Sequence, residues 1–150
     1  MIKVNIEDIK KLRTETGAGI ADCRLALEET GDYKVAKEWL RKKGIEKAAK
    51  KAEREVKAGQ VFSYVHHTGR LGSMVALACE TDFVAKTDDF QKLGRELALQ
   101  VASMQPSSAA ELLDQEYIRD PSKKIGDVVK EVIGKLGENV QVVDLKILTV

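Results

Sequence analysis

His66, His67, Cys23 and Cys79 are the side chains best suited to nucleophilic, general-base or metal chemistry, and their spacing supports none of it. The histidines end a β-branched, aromatic run, Val61-Phe62-Ser63-Tyr64-Val65-His66, that reads as a strand. Neighbours on a strand point to opposite faces, so the two rings cannot share a metal there. They read as hairpin-tip histidines, exposed or capping the turn. A lone imidazole base would also need an orienting partner, and none is evident. The cysteines lie far apart in apolar surroundings with no Cys-x-x-Cys, and read as reduced, buried thiols. Gly17-Ala18-Gly19 joins two helical stretches rather than following a strand, so it is no phosphate loop. The chain is therefore expected to be no enzyme and to need no metal or cofactor.

One stretch remains. Glu80-Thr81-Asp82-Phe83-Val84-Ala85-Lys86 follows the apolar run Met74 to Cys79, which reads as a buried strand, and precedes Thr87-Asp88-Asp89, which can start a helix. An acid and a large aromatic thus stand side by side where the chain leaves the core. A strand exit is a place where a rigid scaffold presents side chains to a partner. The plainer reading is that Phe83 plugs the core and Asp82 caps a turn.

The elements that must position this corner follow from periodicity. Asn5 is an N-cap, and Ile6, Ile9 and Leu12 recur on one helical face up to Gly17. Ile20, Cys23 and Leu27 make the stripe of a second helix, from about Ile20 to Thr30. Gly31-Asp32 ends it and caps a third, with Val35, Trp39 and Leu40 inward and Gly44 as its stop. Ile45 to Lys57 reads as a linker helix with Lys47, Lys50, Lys51 and Arg54 on one face. Beyond Gly59, Val61–His66 and Leu71–Cys79 form a hairpin about His67-Thr68-Gly69-Arg70. A long helix carries Phe90, Leu93, Leu97, Val101 and Met104, and Gln105-Pro106 ends it. Ser108-Ala109-Ala110-Glu111 is a capping box for a short helix. Asp120-Pro121-Ser122 reads as a turn, and a last helix starts at Ser122 or Lys123 and ends at Gly137. Asn139 to Val150 is a strand whose alternation slips, which requires a bulge near Val142-Val143.

The fold class is therefore α+β: a three-helix bundle (residues 1–44), a linker helix (45–58) and a small antiparallel sheet packed with helices (59–150). With 150 residues, 43% hydrophobic and 33% charged, the chain is globular. Its net charge of +1 argues against a general nucleic-acid binder. No apolar run reaches the about 18 residues of a membrane span, and the N-terminus lacks a signal-peptide core, so a cytoplasmic location is expected. A three-stranded sheet leaves edges to cover, and a two-fold homodimer is one way to cover them.

Four segments, in order, resemble the elongation factor Ts family of bacterial translation. They are Leu12-Arg13-Thr14-Glu15-Thr16-Gly17-Ala18-Gly19 with Asp22-Cys23-Arg24-Leu25-Ala26-Leu27; Lys47-Ala48-Ala49-Lys50-Lys51-Ala52; Cys79-Glu80-Thr81-Asp82-Phe83-Val84-Ala85; and Lys135-Leu136-Gly137-Glu138-Asn139-Val140. The resemblance implies a guanine-nucleotide exchange factor for elongation factor Tu, binding its GDP-bound and nucleotide-free forms and disturbing the magnesium and phosphate site. It implies that the N-terminal bundle is ubiquitin-associated-like and docks through Arg24. It assigns the wedge to Asp82 and Phe83, flanked by Thr81 and Val84. It implies further contacts from Leu136, Gly137 and a hairpin-tip histidine, His67 first and His66 second. Many members carry a second core and a helical-hairpin insertion. This chain resembles a short form, in which two chains pair. The competing expectations are an RNA- or ribosome-binding protein using the basic linker helix, and a simple adaptor that docks a partner.

Overall fold

The chain is described by a computed structural model covering residues 3–150. Met1 and Ile2, the first two residues of the expected 1–44 bundle, lie outside the described residues. The Asn5 side chain accepts a hydrogen bond from Glu7 N and opens α1 (Ile6–Thr16). Gly17 closes it at φ 68°, a left-handed conformation that favours glycine. Gly31 and Asp32 separate α2 (Ile20–Thr30) from α3 (Tyr33–Ala49), with Asp32 accepting from Val35 N. Leu12, Cys23, Ala26, Leu27, Ala36 and Leu40 form the core of this bundle. Ile6, Ile20 and Val35, expected to face inward, are exposed. At about 100° per residue, Ile6 lies some 120° around the helix from Leu12, and Val35 about as far from the Ala36–Leu40 side.

Gly44 does not stop the third helix. α3 runs on to Ala49, and no separate linker helix forms: residues 50–54 are turns and a bend. The reason is a packing partner remote in sequence. Gly44 faces Gly134 of α7 (Ile125–Leu136), where the backbones approach so closely that a Cβ on Gly134 would sit 2.8 Å from Gly44 Cα. Ala48 of α3 is accordingly buried in the second core. Arg41 Nη1 reaches Glu131 of α7 at 3.0 Å, and Lys123 joins that carboxylate at 3.4 Å. α3 thus serves both cores, Ala36 and Leu40 in the bundle and Ala48 in the sheet module.

β1 (Ala58–Val65), β2 (Leu71–Cys79) and β5 (Val140–Thr149) form an antiparallel sheet in the order β1-β2-β5. The expected bulge is present: Ala76 pairs with Asp144 and Leu77 with Val142, leaving Val143 as the extra residue. α5 (Asp88–Met104) lies across β1 and β2, and α7 packs against α5, β5 and α3. Phe62, Val75, Leu77, Phe90, Leu97, Val101, Ile125 and Leu145 belong to this core. Among the described residues, helices cover one face of the sheet and leave the other open. Contrary to the reading of Met74–Cys79 as wholly buried, Ser73, Val75, Leu77 and Cys79 are buried while Met74 is exposed. Met104 at the end of α5 is exposed too.

The stretch after α5 holds an element the turn signals hid. α6 (Ala109–Asp114) is capped by Ser108, whose Oγ accepts from Glu111 N, while the Glu111 carboxylate accepts from Ser107 N rather than from Ser108 N as a full capping box would have it. A short hairpin follows, β3 (Glu116–Tyr117) with β4 (Asp120–Lys124), so α7 starts at Ile125 rather than at Ser122 or Lys123. Buried Gln100 of α5 holds this hairpin by accepting from Ile118 N (3.0 Å) and donating to Glu116 O (3.0 Å).

Candidate functional site

Thr81 ends the path out of β2 and caps the short helix α4 (Asp82–Ala85), its hydroxyl accepting from Val84 N at 3.4 Å. Ala85 is buried and Val84 packs against the core, so the inner side of α4 is anchored. Asp82 and Phe83 point away. Phe83 is 87% exposed, and so does not plug the core. A phenylalanine left this open leaves apolar area in water that a partner would cover.

The corner is tied to the turn after α7. The Glu138 carboxylate accepts from Thr81 N at 2.9 Å and from Thr81 Oγ1 at 2.8 Å. Reciprocally, Glu80 Oε1 accepts from Asn139 N at 2.8 Å. Asn139 is buried, and its Nδ2 donates to Arg54 O at 2.8 Å and Ala52 O at 3.3 Å. Arg54 lies 3.7 Å from Glu80. These bonds take over where the β2–β5 ladder ends at Cys79 and Val140. The Glu80-Thr81 segment, the Glu138-Asn139 segment and the chain after α3 therefore form one hydrogen-bonded knot. Both acids stand within the family-like segments, whose resemblance assigns neither of them a role. Their signal was closeness to a strand end: Glu80 directly follows β2, and Glu138 stands two residues before β5.

The other expected contact residues are distributed around this knot. Gly137 follows α7 at φ 77° and is exposed, while Leu136 is partly buried against the core. Gly137 adjoins Glu138 and Leu136 precedes it by two residues, so both lie beside the corner. Lys135 runs its stem over Gly17 and pairs with Asp89 at 3.2 Å, which links the turn between α1 and α2 to the same end of α7. Arg24 lies exposed on α2 and pairs with Glu28 at 2.7 Å. His67 is exposed and His66 half-buried at the β1–β2 turn. Contrary to expectation their rings are close, with centroids 4.2 Å apart, because β1 ends at Val65 and strand alternation no longer separates them. Tyr64 Oη and His66 Nδ1 are 3.0 Å apart. The tip and the corner lie at opposite ends of the nine-residue strand β2, roughly 27 Å apart at about 3.3 Å per residue.

The basic face expected between residues 47 and 54 does not form, since the helix ends at Ala49. Lys47 and Lys43 turn back to Asp22 at 2.8 and 2.9 Å. These ammonium groups, Lys47 foremost, hold the Asp22 carboxyl below its ordinary range. Cys23 and Cys79 are free and buried, and burial pushes both thiols up, away from the reactive thiolate. Among the described residues, no group of three or more His, Cys, Asp or Glu is placed to hold a metal ion. No described helix is long and apolar enough to cross a membrane.

Residues 80–150, which include the corner, α7 and β5, match the family model for elongation factor Ts. Curated relatives extend the likeness over nearly the whole chain. An elongation factor Ts of Fervidobacterium nodosum is 37% identical, with 94% of this chain and 95% of that protein covered. One of Leptospira biflexa is 40% identical, with 93% of each covered. One of Aquifex aeolicus is 43% identical over 92% of this chain but 50% of its own length. The Fervidobacterium alignment runs over 187 positions, more than the 150 residues here, so that relative carries residues this chain lacks.

Proposed function

The chain belongs to the elongation factor Ts family of translation elongation factors, and from that premise we propose that it acts as a guanine-nucleotide exchange factor on elongation factor Tu. One observation carries this reading. Phe83 stands almost fully exposed on a short helix whose other side is anchored in the core. That is the form of a wedge, and Asp82 beside it supplies a negative charge to direct it against a magnesium and phosphate site. The protein catalyses no covalent step in this reading. It binds the GDP form, weakens the hold on magnesium and nucleotide, and releases the partner when GTP enters. The working location is the cytoplasm, and direct nucleic-acid binding is no part of the role.

Magnitudes limit what the wedge does alone. If the factor weakens nucleotide binding, nucleotide weakens its own binding equally. A ten-thousandfold weakening needs about 5.5 kcal/mol of differential affinity. Burying one phenylalanine contributes roughly 1.5–3 kcal/mol. Other surfaces must also favour the nucleotide-free partner. The bundle formed by residues 1–44, with Arg24 exposed on α2, is assigned to docking, and residues 59–150 to the core. Leu136 and Gly137 flank the wedge, and Thr81 and Val84 hold it.

The protein is proposed to work as a homodimer. The uncovered face of the sheet presents Val61, Val65, Met74, Val143 and Leu148, all exposed. A second copy applying the same face would cover both. Since His67 and Phe83 lie at opposite ends of β2, a dimer offers one partner the tip of one protomer and the corner of the other. The RNA-binding alternative loses its main support, because the basic linker helix is absent and Lys47 is paired internally. Release of a fluorescent GDP from elongation factor Tu tests the central reading: acceleration by the chain supports it, and an unaltered rate refutes it.

A further inference from the structure

We propose that Glu138 is a positioning residue for Phe83, fixing through Thr81 the direction in which α4 presents the ring, with Glu80 securing Glu138 through Asn139; this rests on the exchange reading above. The need for such a device follows from the length of α4. A four-residue helix gains too few internal hydrogen bonds to hold itself. Its contacts with the core, through Ala85 and Val84, fix one side but not its starting turn. That turn begins at Thr81, and both hydrogen-bond donors of Thr81, its N–H and its hydroxyl, are held by one carboxylate from 57 residues away.

The bonds are of the stronger kind. Glu138 accepts from a backbone N–H and a hydroxyl, at 2.9 and 2.8 Å. The Thr81 hydroxyl spends its proton on Glu138, leaving a lone pair for Val84 N. One carboxylate therefore sets the Thr81 rotamer that caps the wedge helix. Its own place is fixed by its neighbour. Asn139 is buried, bonded to Glu80 through its amide and to the carbonyls of Ala52 and Arg54 through its side chain. The knot thereby ties the wedge to the end of α3, whose Asp22 partners reach into the bundle.

The competing role is purely structural: the two acids could simply finish the β2–β5 ladder. The two roles differ in what they do to a folded, saturated complex. The test uses the full chain and elongation factor Tu loaded with a fluorescent GDP, with release followed by stopped flow over a range of factor concentrations. Glu138→Ala is expected to lower the maximal release rate toward that of Phe83→Ala, with a smaller rise in the half-saturating concentration. In the double variant, Glu138→Ala is expected to add nothing to Phe83→Ala, because it acts through the ring. Glu138→Gln, which can still accept from Thr81 N, is expected to recover part of the rate. Exchange of the Thr81 amide, read by NMR on the free chain, is expected to quicken in Glu138→Ala.

Wild-type protein that fails to speed release overturns the exchange reading and this proposal together. Wild type that speeds release, with Glu138→Ala at the same maximal rate, overturns this proposal alone. So do effects of the two substitutions that multiply to within a factor of about two, as independent sites do. If Glu138→Ala does not fold, Thr81→Val and Thr81→Ser replace it. A slow Thr81→Val with a normal Thr81→Ser supports the clamp, and a Thr81→Val at the wild-type rate overturns it.

Discussion

Asp22 and Phe83 mark the two uses to which residues of the family-like segments are put. Asp22 is internal: its carboxylate holds Lys47 and Lys43 and so ties α2 to α3. Its pKa lies below the ordinary 3.8, so its contribution is complete above that value and fades as acid drives the folded group to protonate. Asp22→Asn should therefore lower the melting temperature at pH 7, by an amount matching at most about 1 kcal/mol for a partly exposed cluster. The gap to wild type should close on acidification from about pH 4 downward. Paired thermal melts across pH check this. Phe83 is the external case, and its exposure was not legible in the sequence. An apolar residue at a strand exit fits a core plug as well as a wedge, and only the placement of Ala85 and Val84 inward decides that Phe83 must face out. The caps were legible because each is a local bond: Asn5, Asp32, Thr87 and Ser108 all accept from an amide two or three residues on. The acids of the knot were not, since each bonds across 57 or 59 residues.

At the scale of elements, the crossing of α3 and α7 decides how the two halves meet. The two glycines there are not equivalent. A methyl on Gly134 would press within 2.8 Å of the Gly44 backbone, which cannot retreat as a flexible side chain could. Gly134→Ala should cost about 1–3 kcal/mol of stability. A methyl on Gly44 meets nothing closer than 3.9 Å, so Gly44→Ala should be neutral, or stabilising by up to about 1 kcal/mol through helix propensity. Urea denaturation of the two variants separates them. The same pair explains why the helix was read too short. A glycine after a basic turn is a sound stop signal, but here α7 packs across Gly44, with Gly134 giving the close approach, and the helix runs on to Ala49. The bulge shows the opposite case: Val140 and Val142 in one phase with Leu145 and Ile147 in the other force an extra residue, and Val143 is that residue. The hairpin of β3 and β4 left no such mark, because its stability comes from Gln100, remote in sequence.

For the whole molecule, the open sheet face and the exposed wedge make two separate demands on partners. The sheet face predicts that light scattering during size exclusion gives twice the 16.6 kDa chain mass. Val143→Lys or Met74→Glu, each a charge placed on an exposed apolar position, should return the monomer while leaving the helical signal intact. A wild-type mass of one chain would remove the dimer from the account. The wedge is the deeper claim. Its most direct test is stopped-flow release of a fluorescent GDP from elongation factor Tu, driven by saturating wild-type or Phe83→Ala chain. Phe83→Ala should lower the maximal release rate roughly ten- to hundredfold, the equivalent of about 1.5–3 kcal/mol, with complex formation weakened much less. A Phe83→Ala chain that releases GDP at the wild-type rate would contradict the account.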